Sequence, residues 1–388
     1  MFKIQTLNTI SANGLNLFPQ DTYTITTDSV DPDAIIVRSQ NMHEMKVPSS
    51  VKVIGRAGAG VNNIPVADYT KIGVPVLNTP GANANAVREL VIAGMFLASR
   101  NICQAWHYVS QLKTAGAELD KQIEQDKKQF VGFELYGKKL GVIGLGSIGV
   151  KVANTAINLG MEVIGFDPTI TVNRAWELSA NVKQALSIDD LLKEADFITF
   201  HVPLNDETKN LIDARRFGIM KKDAVLLNFA RDGIIDNKAL LEALNEKKIL
   251  AYVSDFPSVP LKDHPRVISL PHLGASTKEA EENCAVMIVK QVRDFLENGT
   301  IVNSVNFPTL EMPNNGNFRL SVVNANIPNM VAQISSTLAS AKLNILSLLN
   351  KSRDDIAYTL IDVNNEINND ILKNISNIQG VVQVRRIK

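Results

Sequence analysis

The chain has 388 residues, too many for one hydrophobic core of ordinary size, so two or three domains are expected. Its 40 Lys plus Arg balance 40 Asp plus Glu, and the formal net charge of zero removes the electrostatic footprint of a nucleic-acid or anionic-membrane binder. The opening MFKIQTLNTISANG lacks the apolar run of a signal peptide, and no run is long enough to span a bilayer, so a cytoplasmic protein is the expectation.

From residue 1 to about residue 100, short apolar runs separated by turns (AIIVR, VKVIGR, VPVLNTPG) read as parallel-sheet strands. The pattern from Asn85 to Arg100 sets Val87, Leu90, Val91, Gly94 and Leu97 on one face of a long helix. Neither Cys103 nor Cys284 has CxxC spacing or clustered histidines, so no disulfide framework and no metal site is expected.

At 140–143 an apolar strand runs into the turn GLGSIG and then a helix pattern, and EVIGFDP follows as a second strand. The runs DFITFHV, AVLLNF, LAYVS and VISL then alternate with helical stretches, the signature of a doubly wound α/β sheet. A dinucleotide-binding domain is therefore expected over 97–275. The helical pattern from Thr277 to Glu297 carries Ala280, Cys284, Met287, Ile288 and Val292 on one face and demands a partner surface. Its return to the first lobe would make a discontinuous substrate-binding domain of 1–96 and 276–300. Residues 301–317, with Pro308 and Pro313 among Asn and Gly, read as a linker. The remainder, 318–388, runs strand, helix, strand, strand, helix, strand, a small βαββαβ sandwich. The fold class is thus α/β, two Rossmann-like lobes of parallel sheet plus a ferredoxin-like module.

Gly144, Gly146 and Gly149 stand where a tight turn, close approach of backbone to a pyrophosphate, and close helix packing each require glycine. The amides of Ser147 and Ile148, at the helix N-terminus, would meet the phosphates. Asp167 ends the next strand, where its carboxylate can accept from both ribose hydroxyls and repel a 2′-phosphate, so NAD is the expected cofactor. Pro168, His201, Val202, Pro203, Ala230 and Gly274 are expected around the same ligand.

Catalytic groups should follow the carboxyl ends of strands. NFARDGIID puts Arg231 after one strand and LPHLGAST puts His272 after another. Oxidising a 2-hydroxy acid needs a cation for the carboxylate and a base for the hydroxyl proton, and guanidinium and imidazole suit these tasks. Arg38 and Arg56 also end apolar strands.

The order GLGSIG, NFARDGIID, PHLGAST resembles the D-2-hydroxyacid dehydrogenases, and RAGAGVNNI, NTPGANANAVREL and NSVNFP resemble the branch of that family acting on 3-phosphoglycerate. The resemblance implies Arg231 as the carboxylate-binding catalytic residue, His272 as general acid/base, and the amides of Ala59 and Gly60 as substrate contacts. The phosphate of such a substrate needs strong paired donors, for which Arg38 and Arg56 are the candidates, with Ser39 and Asn83 as weaker ones beside them. Where the family carries a Glu that bonds the catalytic His, this chain has Val259, and Asp255 is the substitute expected either to reach His272 or to bond the nicotinamide carboxamide. The C-terminal segment resembles an ACT module, which implies an L-serine effector held by Asn324, Asn326 and Asn344, and a homodimer or homotetramer. In NANIPNM, Asn329 replaces the usual glycine, a substitution that a left-handed turn tolerates. Two other readings stay open, a dehydrogenase for another D-2-hydroxyacid and an NADH-sensing binding protein.

Overall fold

The computed structural model describes residues 1–314 and 318–387. The chain divides into two compact units, one of 1–83 with 278–388 and one of 84–277.

In the first unit, β1 (Phe2–Leu7), β2 (Tyr23–Thr26), β3 (Ala34–Val37), β4 (Val53–Arg56) and β5 (Val76–Leu77) form a parallel sheet in the order β2-β1-β3-β4-β5. β3 is buried along its whole length, which is why it reads as an unbroken apolar run rather than an alternating one. The helix Lys278–Asn298 covers this sheet, as its apolar stripe demanded: Cys284, Ile288, Val292 and Phe295 join the core with Ile4, Ile36 and Val53. Gly55 on β4 permits the close approach, since a Cβ there would lie 2.7 Å from Ile288.

The second unit holds β6 (Lys139–Ile143), β7 (Glu162–Phe166), β8 (Lys183–Gln184), β9 (Phe197–Phe200), β10 (Val225–Asn228), β11 (Ala251–Ser254) and β12 (Val267–Ser269), all parallel, in the order β12-β11-β10-β9-β6-β7-β8. The order reverses between β6 and β9, the topological switch point at which such sheets bind ligands. This unit begins at Ala84 rather than at the expected 97, because the helix Ala84–Ser99 packs on β10, β11 and the helix Ser147–Asn158. Gly94 makes the fit, a Cβ there standing 3.0 Å from Phe229.

The expected linker is structured over its first half. Ile301, Phe307 and Leu310 are buried, and buried Asn306 accepts the Val76 amide at 2.8 Å, so apolar burial overrides the turn-rich composition. Residues 315–317 of that segment lie outside the described residues. The C-terminal strands β13 (Phe318–Ala325), β14 (Ile345–Arg353), β15 (Ile356–Val363) and β16 (Val381–Arg386) form an antiparallel sheet in the order β14-β15-β13-β16. With helices Met330–Ser340 and Asn369–Ser376 they give the expected βαββαβ order. Asn329 caps the first of these helices at φ 72, the left-handed angle that asparagine accepts. Among the described residues no helix is long and apolar enough to cross a membrane.

Candidate active site

Six neighbouring strands of the second unit end in a residue singled out by sequence. In sheet order these are His272 after β12, Asp255 after β11, Arg231 after β10, His201 after β9, the glycine turn after β6 and Asp167 after β7. Parallel strands lie about 4.8 Å apart, so side chains from adjacent carboxyl ends can meet one small ligand.

The glycine turn is built as its sequence requires. Gly144 has φ +92, and a Cβ on it would sit 2.6 Å from the His201 carbonyl. At Gly149 a Cβ would fall 1.9 Å from the Gly144 oxygen, so the helix Ser147–Asn158 can start against the turn only with glycine there. A Cβ on Gly146 would meet nothing within 4 Å, so its bare backbone faces open space. The space belongs to a cavity of about 450 Å³ lined by Gly144, Gly146, Asp167, Pro168, His201, Val202 and Pro203 among others. Bare backbone at a helix start, with an acid lining the same cavity, fits the adenosine diphosphate half of a dinucleotide.

Asp167 is already engaged. Its Oδ2 accepts the Leu145 amide at 2.8 Å and its Oδ1 the Thr169 amide at 2.8 Å, which fixes the carboxylate at the turn while leaving lone pairs for ribose hydroxyls. Arg174, missed by sequence reasoning, lines the same cavity, but Glu177 holds its guanidinium at 2.6 Å and offsets the charge that would favour a 2′-phosphate. His201 shares a hydrogen bond with Thr199 Oγ1 at 3.0 Å through Nε2, while Nδ1 is buried and unpartnered. Burial pushes this imidazole down to about 3, so it stays neutral at physiological pH.

Arg231 is exposed at the end of its turn, which Asn228 organises: Asn228 Nδ2 donates to the Arg231 carbonyl at 2.9 Å and its Oδ1 accepts the Ala230 amide at 3.2 Å. His272 is exposed, has φ +57, and meets the Phe256 ring edge-on at 5.1 Å. Of the two roles expected for Asp255, contact with the imidazole is not the one its hydrogen bonds show. The buried carboxylate accepts the Leu273 amide at 2.9 Å and the Gly274 amide at 2.7 Å, because successive amides of a sharply turned loop present two donors to one anion. Among the described residues no carboxylate hydrogen-bonds the His272 ring, and Val259 is 83% exposed.

In the first unit, Arg38 and Arg56 stand at the carboxyl ends of adjacent strands, with Val37 and Arg56 directly in register. Arg56 curls over the following turn, its guanidinium lying against Gly58, whose φ of +150 is a backbone angle that favours glycine. Ala59 accepts from Asn78 Nδ2 at 2.6 Å, and Ala59 and Gly60 are part-exposed. Ser39 and Gln40 both donate their amides to Asn8 Oδ1, at 3.0 and 2.7 Å. The Asn83 amide oxygen is buried without a partner. Arg38 already has a partner that sequence reasoning missed: Glu281 in the first turn of the helix Lys278–Asn298 pairs with it at 2.6 Å. Composition carried no signal for that pair, whose members are 243 residues apart.

The three asparagines of the C-terminal module do not converge within one chain. Asn324 pairs with Ala357 and Asn326 bonds the Asp354 carbonyl at one end of the sheet, whereas Asn344 precedes Ile345, which pairs with Val363 at the other. Antiparallel register alone separates them, by roughly 20 Å at the usual rise per residue. Asn324 is also buried, its Nδ2 spent on the Ala325 carbonyl.

Residues 92–274 match the family model described as "D-isomer specific 2-hydroxyacid dehydrogenase, NAD binding domain". The chain is 41% identical over 314 residues to a D-3-phosphoglycerate dehydrogenase of Methanocaldococcus jannaschii, covering 78% of this chain and 57% of the relative. It is 31% identical over 338 residues to one of Haemophilus influenzae, covering 84% of this chain and 78% of that relative. It thus spans about half the length of several curated relatives that it matches. A solved structure described as NAD+-bound 3-phosphoglycerate dehydrogenase of Entamoeba histolytica superposes with TM-score 0.64 at 27% identity, over 80% of this chain and 99% of that one. The chain belongs to the D-isomer specific 2-hydroxyacid dehydrogenase family.

Proposed function

We propose that this chain oxidises 3-phospho-D-glycerate to 3-phosphohydroxypyruvate with NAD, the first step of L-serine synthesis. The observation that carries the reading is the row of strand ends: arginine, acid and histidine follow β10, β11 and β12, beside a glycine turn and acid that suit NAD. Similarity to D-3-phosphoglycerate dehydrogenases favours phosphoglycerate over other hydroxy acids.

Bound NAD supplies the hydride acceptor. Arg231 holds the substrate carboxylate in a two-point grip and orients C2. His272 removes the hydroxyl proton as the C2–H bond breaks, so that hydride and proton leave the alcohol as the ketone forms. Asp255 fixes the loop that carries His272. Ala59 and Gly60 offer amides to the carboxylate, and Arg38 and Arg56 the charge for the phosphate, with Ser39 and Asn83 beside them. Pro168, Val202, Pro203, Ala230 and Gly274 shape the cofactor site around these groups.

The C-terminal module is proposed to be an ACT domain that takes L-serine. Because Asn326 and Asn344 lie at opposite ends of one sheet, such a site would be shared between copies, which favours a homodimer or homotetramer. The protein is read as cytoplasmic.

The test is NADH formation by purified protein with 3-phosphoglycerate against a panel of other 2-hydroxy acids, repeated with His272→Asn. Asparagine keeps the left-handed backbone at 272 and removes the base, so turnover is expected to fall by about 10²–10⁴. Turnover undiminished in that variant, or faster on an unphosphorylated acid, overturns the reading.

A further inference from the structure

The Arg38–Glu281 pair raises a question that the proposed phosphate site does not answer. Arg38 follows β3 and Arg56 ends the adjacent β4, so two positive charges stand at neighbouring strand ends. Glu281 Oε1, 2.6 Å from Arg38 Nη2, offsets the charge of Arg38. The pair is part-exposed, with side-chain exposures of 36% and 40%, so water and ligands can reach it. Glu281 is held where it is by its own helix: it lies in the first turn of Lys278–Asn298, where unpaired amides and the helix dipole favour a carboxylate.

We propose that Glu281 is a specificity-determining residue, a built-in carboxylate that competes with the substrate phosphate for Arg38 and so limits how strongly phosphorylated acids are preferred. This rests on the reading of Arg38 as a phosphate ligand. A phosphate that bonds Arg38 must either displace the carboxylate or sit beside it, and like charges at that range repel. An unphosphorylated acid places no charge there and does not sense Glu281. Tuning of this kind favours release of a phosphorylated product as much as it limits capture of the substrate, because both carry the dianion.

The experiment measures KM for 3-phosphoglycerate and for D-glycerate in wild type, Glu281→Gln, Glu281→Ala and Arg38→Ala, with calorimetric binding of inorganic phosphate as a readout independent of turnover. Both Glu281 variants are expected to raise the ratio of KM for glycerate to KM for phosphoglycerate by about two- to fivefold, the scale of a part-exposed ion pair, and to tighten phosphate binding similarly. Arg38→Ala is expected to lower that ratio. If Arg38→Ala lowers it and the Glu281 variants leave it unchanged or lower it too, the proposed role of Glu281 is wrong while the phosphate site stands. If Arg38→Ala leaves the ratio unchanged, the phosphate reading fails and the proposal with it.

Discussion

Asp255 reaches from the end of β11 to Gly274, whose amide donates to Oδ2 at 2.7 Å, while Oδ1 takes the neighbouring Leu273 amide at 2.9 Å. His272 immediately precedes these two residues, so the acid determines where the imidazole stands without touching it. A Cβ on Gly274 would come within 3.1 Å of Oδ2, so the loop closes on the carboxylate tightly. Asp255→Asn can satisfy only one amide with its single oxygen and leaves the other facing an NH2 group. Such a loss costs about 1–3 kcal/mol. Urea unfolding is expected to shift by that amount, and kcat to fall on the order of tenfold through misplacement of His272. The pH at half-maximal kcat is expected to stay fixed; a shift of about one unit would show that Asp255 acts on the imidazole after all.

The second unit was legible because its strands, turns and chemistry share one grammar: apolar runs end where functional residues begin. The glycine turn, Asp167, Arg231 and His272 all fall at such ends. What stayed hidden was which partner each polar group had chosen. Nothing in SDFPSVP tells whether Asp255 faces a ring or two amides, and the pairing of Glu281 with Arg38 arises only when a distant helix returns to the sheet. The linker reading erred differently, since Phe307 and Leu310 carried an apolar signal that Pro and Asn composition outweighed.

The glycines of the turn are expected to separate folding from binding. Gly149→Ala forces a methyl into the Gly144 carbonyl, so it should lower the melting temperature sharply and yield little folded protein. Gly146→Ala meets open space and should leave the melting temperature within about one degree of wild type. Its methyl would then stand where backbone must approach the pyrophosphate, and NAD affinity measured by fluorescence titration should weaken about tenfold or more. Equal thermal stability of both variants would contradict this division.

His201 gives the fold a dependence on acid. Its folded value, about 3, lies below the usual histidine value of 6.5 because burial disfavours the charged ring. Below 6.5 the unfolded chain binds a proton that the folded chain refuses, so the stabilisation is complete above 6.5 and is lost as pH falls from there toward 3. Going from about pH 7.5 to about pH 5.5 should cost about 1.4 kcal/mol from this group alone. Denaturation of the cofactor-free protein at both pH values, in wild type and His201→Gln, isolates the contribution; an identical pH dependence in the two proteins would refute it.

Within the first unit, Arg319 and Asp362 tie the C-terminal sheet to the segment that precedes it. Both are buried, and Arg319 bonds both carboxylate oxygens, at 2.6 and 2.9 Å. Its remaining donors reach the carbonyls of Asn298, Met312 and Pro313. Tyr358 and Arg385 add hydrogen bonds to the Gly299 and Phe295 carbonyls at 2.7 and 2.6 Å, so three side chains of the module bond carbonyls at the end of the helix Lys278–Asn298. Arg319→Met strands a buried anion and three carbonyls at once, for a loss of about 3–5 kcal/mol in denaturant unfolding. Removing the anion as well, in Arg319→Met with Asp362→Leu, should restore at least about half of that loss, because the uncompensated charge is the larger part. If the double variant is no more stable than the single one, the carbonyls rather than the ion pair hold the module in place.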